Sequence, residues 1–561
     1  MDRKKSRLHK RPHRHLLFAA LLSGLSAALI FPASLLLNCS DPAAQLNYNE
    51  SGTDRTDKGG SLDDKESRPT IVVHIEQGLE EVWTGAETLP EEITPIVYTC
   101  RRHSSEDETP SKDQYNTKNL DNPARQYSFE EREVIGELYI TSDGNNNRFS
   151  SSGEKELLAK VLRRSYFAPA VPLWDTRSSV TLSEALDSRE LEPKPVEEIA
   201  PPEKALRIEG MRIDDAEYPL VEEVHAALTL RGESLHSRKV KEWFLTEVGE
   251  ASAPPKIVSL GGVGDLMVGR GIEDILISRG NEAGLSYIFG DTLPILREQD
   301  ILVGNLEGAV TRSNTAVPKS YNFKFRPEVL PFLKDAGFDY LSLTNNHCYD
   351  YGERGFLDTL DYLEEYGLST SGAGRSVEEA HQPAFLAPNL RILSVGDYPK
   401  ENNGFDGRAE AQVSDTRAGI LFSGPEVLKT IEEFSSPDTI DVVAVHGGVE
   451  WRSKPTEAQR EFYRSCVDAG ADLVLGSHPH VLQGIEGYRG GIIAYSLGNF
   501  LFPGMYVMEN AEDSLILSVG FVEGRPLYIE PYPVKINNRH IELDKGGAIL
   551  HRLSSLTEEL H

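Results

Sequence analysis

The sequence predicts an α/β fold for residues 251–561, preceded by a smaller α+β envelope domain. Three observations predict it. Past the linker Ala251-Ser252-Ala253-Pro254-Pro255, short β-rich runs end in Gly, Asp, Asn or His, and each is followed by an amphipathic helical stretch. Five of those runs in succession deliver polar side chains at their ends, where α/β folds collect ligands. Residues 69–250, by contrast, alternate apolar patches with polar loops and lack that rhythm.

Composition bounds the chain before any element is assigned. Its 561 residues, 39% apolar and 26% charged, are several times what one core needs, which excludes a disulfide-stapled peptide or a wholly disordered chain. Formal charge is −30; residues 1–38 contribute +6, from seven Lys/Arg against one acid, which leaves −36 on the rest. A body this acidic is not a nucleic-acid binder, because phosphate neutralisation needs clustered cations. The four cysteines, at 39, 100, 348 and 466, lack the close, even spacing of a disulfide framework.

The first element is an address. Arg3, Lys4, Lys5, Arg7, Lys10, Arg11 and Arg14 precede an uncharged run from Leu16 to Leu37. As a helix that run would be about 33 Å long, enough to span a bilayer, while Pro32 and the small polar residues favour a signal segment. The run closes on Leu35-Leu36-Leu37-Asn38-Cys39-Ser40-Asp41, which resembles a bacterial lipoprotein signal, with Asn38 in place of the usual small residue. Residues 1–39 thus predict lipidation at Cys39 or a plain N-terminal anchor, and in both cases an exported body held at the cell envelope.

Residues 40–68, rich in Asp, Ser, Gly and Asn, read as a flexible tether, since they bury too little to offset ordering entropy. Residues 69–250 read as an α+β domain of unknown role. Within it Phe167-Ala168-Pro169-Ala170-Val171-Pro172-Leu173-Trp174-Asp175, with Tyr218-Pro219-Leu220 later, faintly resembles part of a periplasmic solute-binding domain. In 251–561 the expected strands are 257–264, 301–304, 338–343, 440–445, 473–475 and 492–495, with two or three more between 514 and about 543. Expected helices are 328–336, 355–366 and 456–469, stopped by Gly337, Gly367 and Gly470.

The strand ends carry Gly264-Asp265, Asn305-Leu306-Glu307, Thr344-Asn345-Asn346-His347, His446-Gly447-Gly448 and Gly476-Ser477-His478-Pro479-His480. Each alone is a common turn; five on one edge predict a metal site. Carboxylate, amide oxygen and imidazole without thiolate suit a divalent ion such as Mn, Fe, Zn or Mg, one or two of them. Two ions about 3.5–4 Å apart would clamp a phosphoryl group. His478 and His480, with Pro479 between, can be aimed at such ions from a turn but not from a regular strand.

Gly264-Asp265-x-Met267-x-Gly269-Arg270, Asn305-Leu306-Glu307, Asn345-Asn346-His347-x-x-Asp350-x-Gly352, His446-Gly447-Gly448-x-Glu450, Gly476-Ser477-His478-Pro479-His480-Val481 and Tyr495-Ser496-Leu497-Gly498-Asn499-Phe500 resemble the bacterial capsule-synthesis CapA family, associated with poly-gamma-glutamate. The match covers roughly 256–503. That family is similar to calcineurin-like metallophosphoesterases, which implies a four-layered α/β/β/α sandwich. The resemblance implies Asp265, Glu307, Asn346, His446, His478 and His480 as metal ligands, His347 as the acid for the leaving oxygen, and Arg270, Asn345 and Asn499 as substrate-binding residues. Asp350 either orients His347 or caps the helix near Gly352. Three departures stand out: Met267 occupies the place of a ligand His, Asn305 or Glu307 must replace a bridging Asp, and Gly447 stands where Trp is usual. They predict that one of two metal subsites is weak or absent.

Ser496 lacks a Gly-x-Ser-x-Gly elbow and is not expected to be a nucleophile; residues 495–500 read instead as a strand-to-loop turn whose Asn499 orders the metal loops. Cys348 and Cys466 read as packed thiols, and Glu450 and Glu486 as solvated loop charges or the lining of an anionic-polymer groove. The expected function is an envelope-anchored protein of capsule or poly-gamma-glutamate-type polymer synthesis or export, leaning to a metal-dependent hydrolase. Its expected partners are the membrane, an anionic envelope polymer or phosphate-linked precursor, and polymer synthase or export subunits. The alternatives are a non-catalytic binding or scaffold subunit, or a solute-binding module in 69–250.

Overall fold

The computed structural model describes residues 69–76, 79, 82, 88–91, 93–100, 134–142, 155–188, 190–191, 193–401 and 404–561. The basic segment, Cys39 and the tether lie outside the described residues. Among the described residues no helix is long and apolar enough to cross a membrane. The described residues form two compact units, one within 69–165 and 222–252, the other within 166–221 and 253–561.

In the first unit Thr94–Cys100, Thr70–Glu76 and Val134–Thr141 run parallel, and Val221–Arg231 joins them antiparallel. Ile71, Val73, Ile75, Leu138 and Ile140 alternate inward, the period-two pattern of a strand with one buried face. The helix Leu235–Thr246 adds Val240, Trp243 and Phe244 to that core, and begins at a Ser234 capping box.

The second unit carries two large sheets. One orders Tyr340–Ser342, Ile301–Leu306, Ile257–Leu266, Asp513–Val522, Arg525–Asn537 and His540–Leu543; the first three are parallel and the C-terminal three an antiparallel meander. The other orders Ala384–Ala387, Leu390–Asp397, Ile440–Gly447, Leu473–Ser477, Gly491–Ala494 and Ile485–Tyr488, with its four central strands parallel. Leu260, Val303, Leu515, Leu517 and Val519 of the first sheet share one apolar cluster with Ile392, Val442, Ala444 and Leu475 of the second. Val443 and Val445, one residue out of phase, enter a second cluster with Val427, Ile431, Tyr463 and Cys466 of two helices. Burial on both faces is why these strands read as unbroken apolar runs.

The helices Leu330–Ala336, Gly352–Glu365 and Glu457–Asp468 lie where the sequence predicts them. Thr456 caps the last, its side chain accepting from the Gln459 amide. One central strand, Leu390–Asp397, was not expected from its sequence: Arg391 and Ser394 interrupt it, and only the fold supplies their partners. Arg391 reaches Asp441 at 2.9 Å, and Ser394 bonds to the Ser371 carbonyl.

The expected domain 69–250 is not one body here. Residues 166–221 pack with the C-terminal unit, where Tyr166, Val171, Leu206, Ile208 and Tyr218 meet Ile257, Val522, Leu527 and Tyr528. Arg207 pairs with the buried Glu530, and the Tyr528 hydroxyl accepts from the Ile213 amide. The stretch with a faint solute-binding resemblance serves this packing: Phe167 N–H donates to Leu220 O, and Tyr218 O–H to Phe167 O.

Candidate functional site

Strand register assembles the site. Asp265 at the end of Ile257–Leu266 stands beside Asn305 on one neighbour and Asn499 on the other, while His446 stands beside Ser477 in the second sheet. Gly264 permits the close approach of the Asn499 strand, because a Cβ there would lie 1.9 Å from the Gly498 carbonyl oxygen. His478 and His480 both adopt left-handed backbone angles, φ 97° and 58°. Such conformations are uncommon outside glycine and persist where surroundings over-determine them, often at functional sites. This turn aims both imidazoles inward.

All six residues expected as metal ligands come together, and all are buried. Ligand atoms of Asp265, Glu307 and His446 lie within 4.8 Å of one another. The Asn346 Oδ1 is 3.0 Å from His446 Nε2, and His478 Nδ1 is 3.1 Å from the same nitrogen. His480 places Nδ1 3.2 Å from Asp265 Oδ2 and Nε2 3.7 Å from Glu307 Oε1.

Glu307 is 0% exposed, and neither of its carboxylate oxygens has a hydrogen-bond partner. Asn305 points its amide nitrogen into the cluster, 2.8 Å from Asp265 Oδ1 and 3.2 Å from His446 Nδ1, and turns its oxygen away to Asn345. Of the two residues left open by the sequence for the bridging position, Glu307 is therefore the one with free oxygens. Met267, in place of a ligand His, is buried in an apolar cluster with Val268, Phe325 and Phe500.

The ionisation of the cluster follows from burial and crowding. Burial and the nearby Asp265 push the Glu307 carboxyl well above its usual range. Burial disfavours charge on His480, but Glu307 and Asp265 outweigh it and raise its pKa to about 10. Burial, with neighbouring imidazoles, drives His446 and His478 well below the ordinary histidine value. Two neutral imidazoles beside an unbonded carboxylate form a donor set that suits a divalent cation.

His347 lies at the edge of this cluster, its Nε2 3.8 Å from Glu307 Oε1. Its Nδ1 is 2.7 Å from Asp350 Oδ2, so Nδ1 carries the proton, since a carboxylate accepts. Asp350 thus orients His347; the helix Gly352–Glu365 starts from Tyr351 without a side-chain cap. Burial lowers the His347 pKa while Asp350 opposes that shift. Phe323 stacks on its ring at 4.1 Å, and Arg270 lies over Phe323 at 5.4 Å with Nη1 on the Pro503 carbonyl. Arg270 is exposed at this rim.

Asn345 is placed otherwise than expected of a substrate-binding residue, and Asn499 has the contacts of the loop-ordering residue that its turn suggests rather than of a substrate-binding one. Both are fully buried: Asn345 donates to Asn305 Oδ1 and Leu306 O, and Asn499 donates to His480 O and Ala511 O while its Oδ1 faces His480 Nδ1. They fix loops, and the ligand His480 with them. Ser496 is buried with its hydroxyl on Val481 O, and burial pushes the Cys348 and Cys466 thiols up. Glu486 is a buried partner of Arg464 and Tyr495, whereas Glu450 is exposed.

Sequence reasoning missed Lys319, Glu401, Tyr398 and Trp451. Lys319 is buried against Asp350, Glu401 and the Asn346 carbonyl; Tyr398 O–H donates to Asn345 O; Trp451, exposed and with φ 65°, lies 5.2 Å from the His480 ring. All four sit in loops without motif or periodicity, so only Trp451, next to the His446 motif, carried a local signal.

A family model described as bacterial capsule synthesis protein PGA_cap matches residues 259–504, the stretch that holds every one of these strand-end residues. Residues 259–504 belong to the bacterial capsule synthesis PGA_cap family. Relatives of this PGA_cap segment include the PGA biosynthesis protein CapA of Bacillus subtilis (strain 168), 34% identical over 251 residues that cover 44% of this chain and 63% of that protein. The capsule biosynthesis protein CapA of Bacillus anthracis is 34% identical over 250 residues, 43% of this chain and 58% of that one. The chain thus spans about three fifths of the length of these relatives. Among solved structures, TT1561 of Thermus thermophilus aligns with 48% of this chain and 100% of its own at 10% identity, with a TM-score of 0.28 that is too low to bear on the fold.

Proposed function

We propose that the PGA_cap unit is a divalent-metal, phosphoesterase-like centre of a protein that serves capsule or poly-gamma-glutamate-type polymer synthesis or export. The observation that carries this reading is Glu307, whose two fully buried, unbonded oxygens face Asp265, His446 and His480. Buried carboxyl oxygens without a hydrogen bond are unfavourable, and a bound cation would supply the partner they lack. Asp265, Glu307, Asn346, His446, His478 and His480 would hold the ion, which supplies charge stabilisation to a phosphoryl group when bound. With the Nδ1 proton held by Asp350, His347 presents Nε2 to the cluster, where it would take up a proton and pass it to the leaving oxygen, and Arg270 at the rim takes an anionic group of the polymer or its phosphate-linked precursor.

The four-layered α/β/β/α arrangement belongs to the same reading; the apolar cluster shared by both sheets and the helix-lined clusters outside them support it. So do envelope anchoring through Cys39 or the N-terminal run, and synthase or export partners, which rest on the sequence. A non-catalytic scaffold is the second reading, favoured by the apolar burial of Met267.

Metal content of the purified full-length chain tests the proposal. The parent should carry bound Mn, Fe, Zn or Mg by elemental analysis, and His478→Ala should lose most of it with an unchanged circular dichroism spectrum. Equal content in parent and variant overturns the ligand assignment. Metal without turnover of a generic phosphodiester decides for the scaffold.

A further inference from the structure

The loop between Thr311 and Phe323 places a lysine inside the protein, behind the edge of the metal cluster. Lys319 has a side-chain exposure of 0%. Its ammonium has three hydrogens, and the structure provides three oxygens: Asp350 Oδ1 at 2.9 Å, Glu401 Oε1 at 2.8 Å and the Asn346 carbonyl at 2.7 Å. The Phe405 ring closes the remaining side at 4.3 Å. A buried ammonium is costly unless fully paired, and this one is fully paired.

Each of its partners touches the proposed chemistry. Asp350 uses its other oxygen, Oδ2, to accept from His347 Nδ1 at 2.7 Å and from the Phe323 amide at 2.6 Å. Phe323 in turn stacks on the His347 ring. Glu401 Oε1 lies 3.4 Å from Asn346 Nδ2, which fixes the amide so that Oδ1 faces His446.

We propose that Lys319 is a positioning residue that clamps Asp350 and Asn346 together, so that the tautomer of His347 and the orientation of the Asn346 amide are set by one cation. The inference rests on the hydrolase reading for its functional consequence, but its structural part does not. With Lys319 absent, Asp350 Oδ1 loses its ammonium partner, and the carboxylate is held on Oδ2 alone, where the Phe323 amide competes with the His347 ring. Partners of this kind orient catalytic and ligand groups, and their loss costs roughly tenfold to a hundredfold in activity.

The test uses the full-length chain with ¹⁵N-labelled histidine, with His347→Asn to identify the His347 ring signals. In the parent those signals should report the Nδ1–H tautomer. In Lys319→Met they should move off that tautomer, and kcat on a phosphodiester should fall roughly tenfold to a hundredfold with KM within threefold and the same metal per chain at saturation. If Lys319→Met fails to fold, the charge-balanced Lys319→Met/Glu401→Gln variant removes one cation and one anion together and should show the same shift. Unchanged ring signals with unchanged kcat in a folded variant overturn the proposal. A parent that hydrolyses nothing overturns the hydrolase reading alone, because the ring signals still decide the role of Lys319.

Discussion

Asp350 illustrates what one residue's surroundings decide. Its spacing from His347 fits both an orienting carboxylate and a helix cap, and the 2.7 Å contact with Nδ1 selects the first. The motif Asn345-Asn346-His347-x-x-Asp350 was legible because its residues are close in the chain and each carries a side chain suited to one job. Lys319 was not legible: a lysine between Pro318 and Ser320 reads as a solvated loop cation, and its partners lie 27, 31 and 82 positions away. The role of His347 has its own check. His347→Asn should lower turnover on a phosphodiester by roughly 10²–10⁴ while bound metal is retained, the usual range for loss of a general acid. A full-rate variant with normal metal would reduce His347 to a packing partner of Phe323.

At the scale of elements, strand register does what no single motif can. His446 and Ser477 are paired across two strands, and Asp265 lies between Asn305 and Asn499, so strand ends spread along the chain from 265 to 499 converge on one edge. Runs such as Val442–Val445 were legible as strands because both faces are buried, whereas Leu390–Asp397 was hidden by residues that only tertiary contacts satisfy. The short strand Glu203–Ala205 has a comparable feature in Lys204, which is 1% exposed with no hydrogen-bond partner on Nζ. Burial draws its pKa from 10.5 down to about 8. Between those two pH values the unfolded chain holds a proton that the folded chain has released, so this group's contribution to stability rises with pH across that window. Below about pH 8 its full cost is present. Lys204→Met should therefore stabilise the protein at pH 7 by roughly 1–3 kcal/mol, with a gain that shrinks by pH 10. Denaturant midpoints at both values check this; a lower midpoint at pH 7 would mean the amine contributes more than its burial costs.

For the whole molecule, the compact units do not follow the linear order of the chain. Residues 166–221 cover the apolar side chains of Ile257, Val522, Leu527 and Tyr528 and supply Arg207 to Glu530. A fragment that begins at residue 251 would expose that surface and leave Glu530 without its Arg207 partner. It should melt lower and aggregate more readily than the full chain, by thermal unfolding at equal concentration, and an equal melting point would show that 166–221 adds no stability. The N-terminal address makes a separate prediction. Acyl chains contribute about 0.8 kcal/mol per buried methylene, so a lipid on Cys39 would hold the acidic body firmly at a membrane surface. Cys39→Ser should then block acylation and leave a larger precursor by mass. A parent whose mature mass includes residues 1–38 would instead have a retained N-terminal anchor.

The sequence by itself determined the α/β class of the C-terminal region and the edge at which polar residues gather, among them the six that the CapA resemblance marks as metal ligands. Those properties are local, written in hydrophobic periodicity and in short strings of Gly, Asp, Asn and His. Only the tertiary structure decided that Glu307 rather than Asn305 keeps free oxygens, that Asn345 fixes a loop, that Lys319 joins the site, and that residues 166–221 pack with the C-terminal unit. Each of these depends on contacts between residues distant in the chain, and a side chain's hydrogen-bond capacity is assigned only when the fold brings its partners within reach.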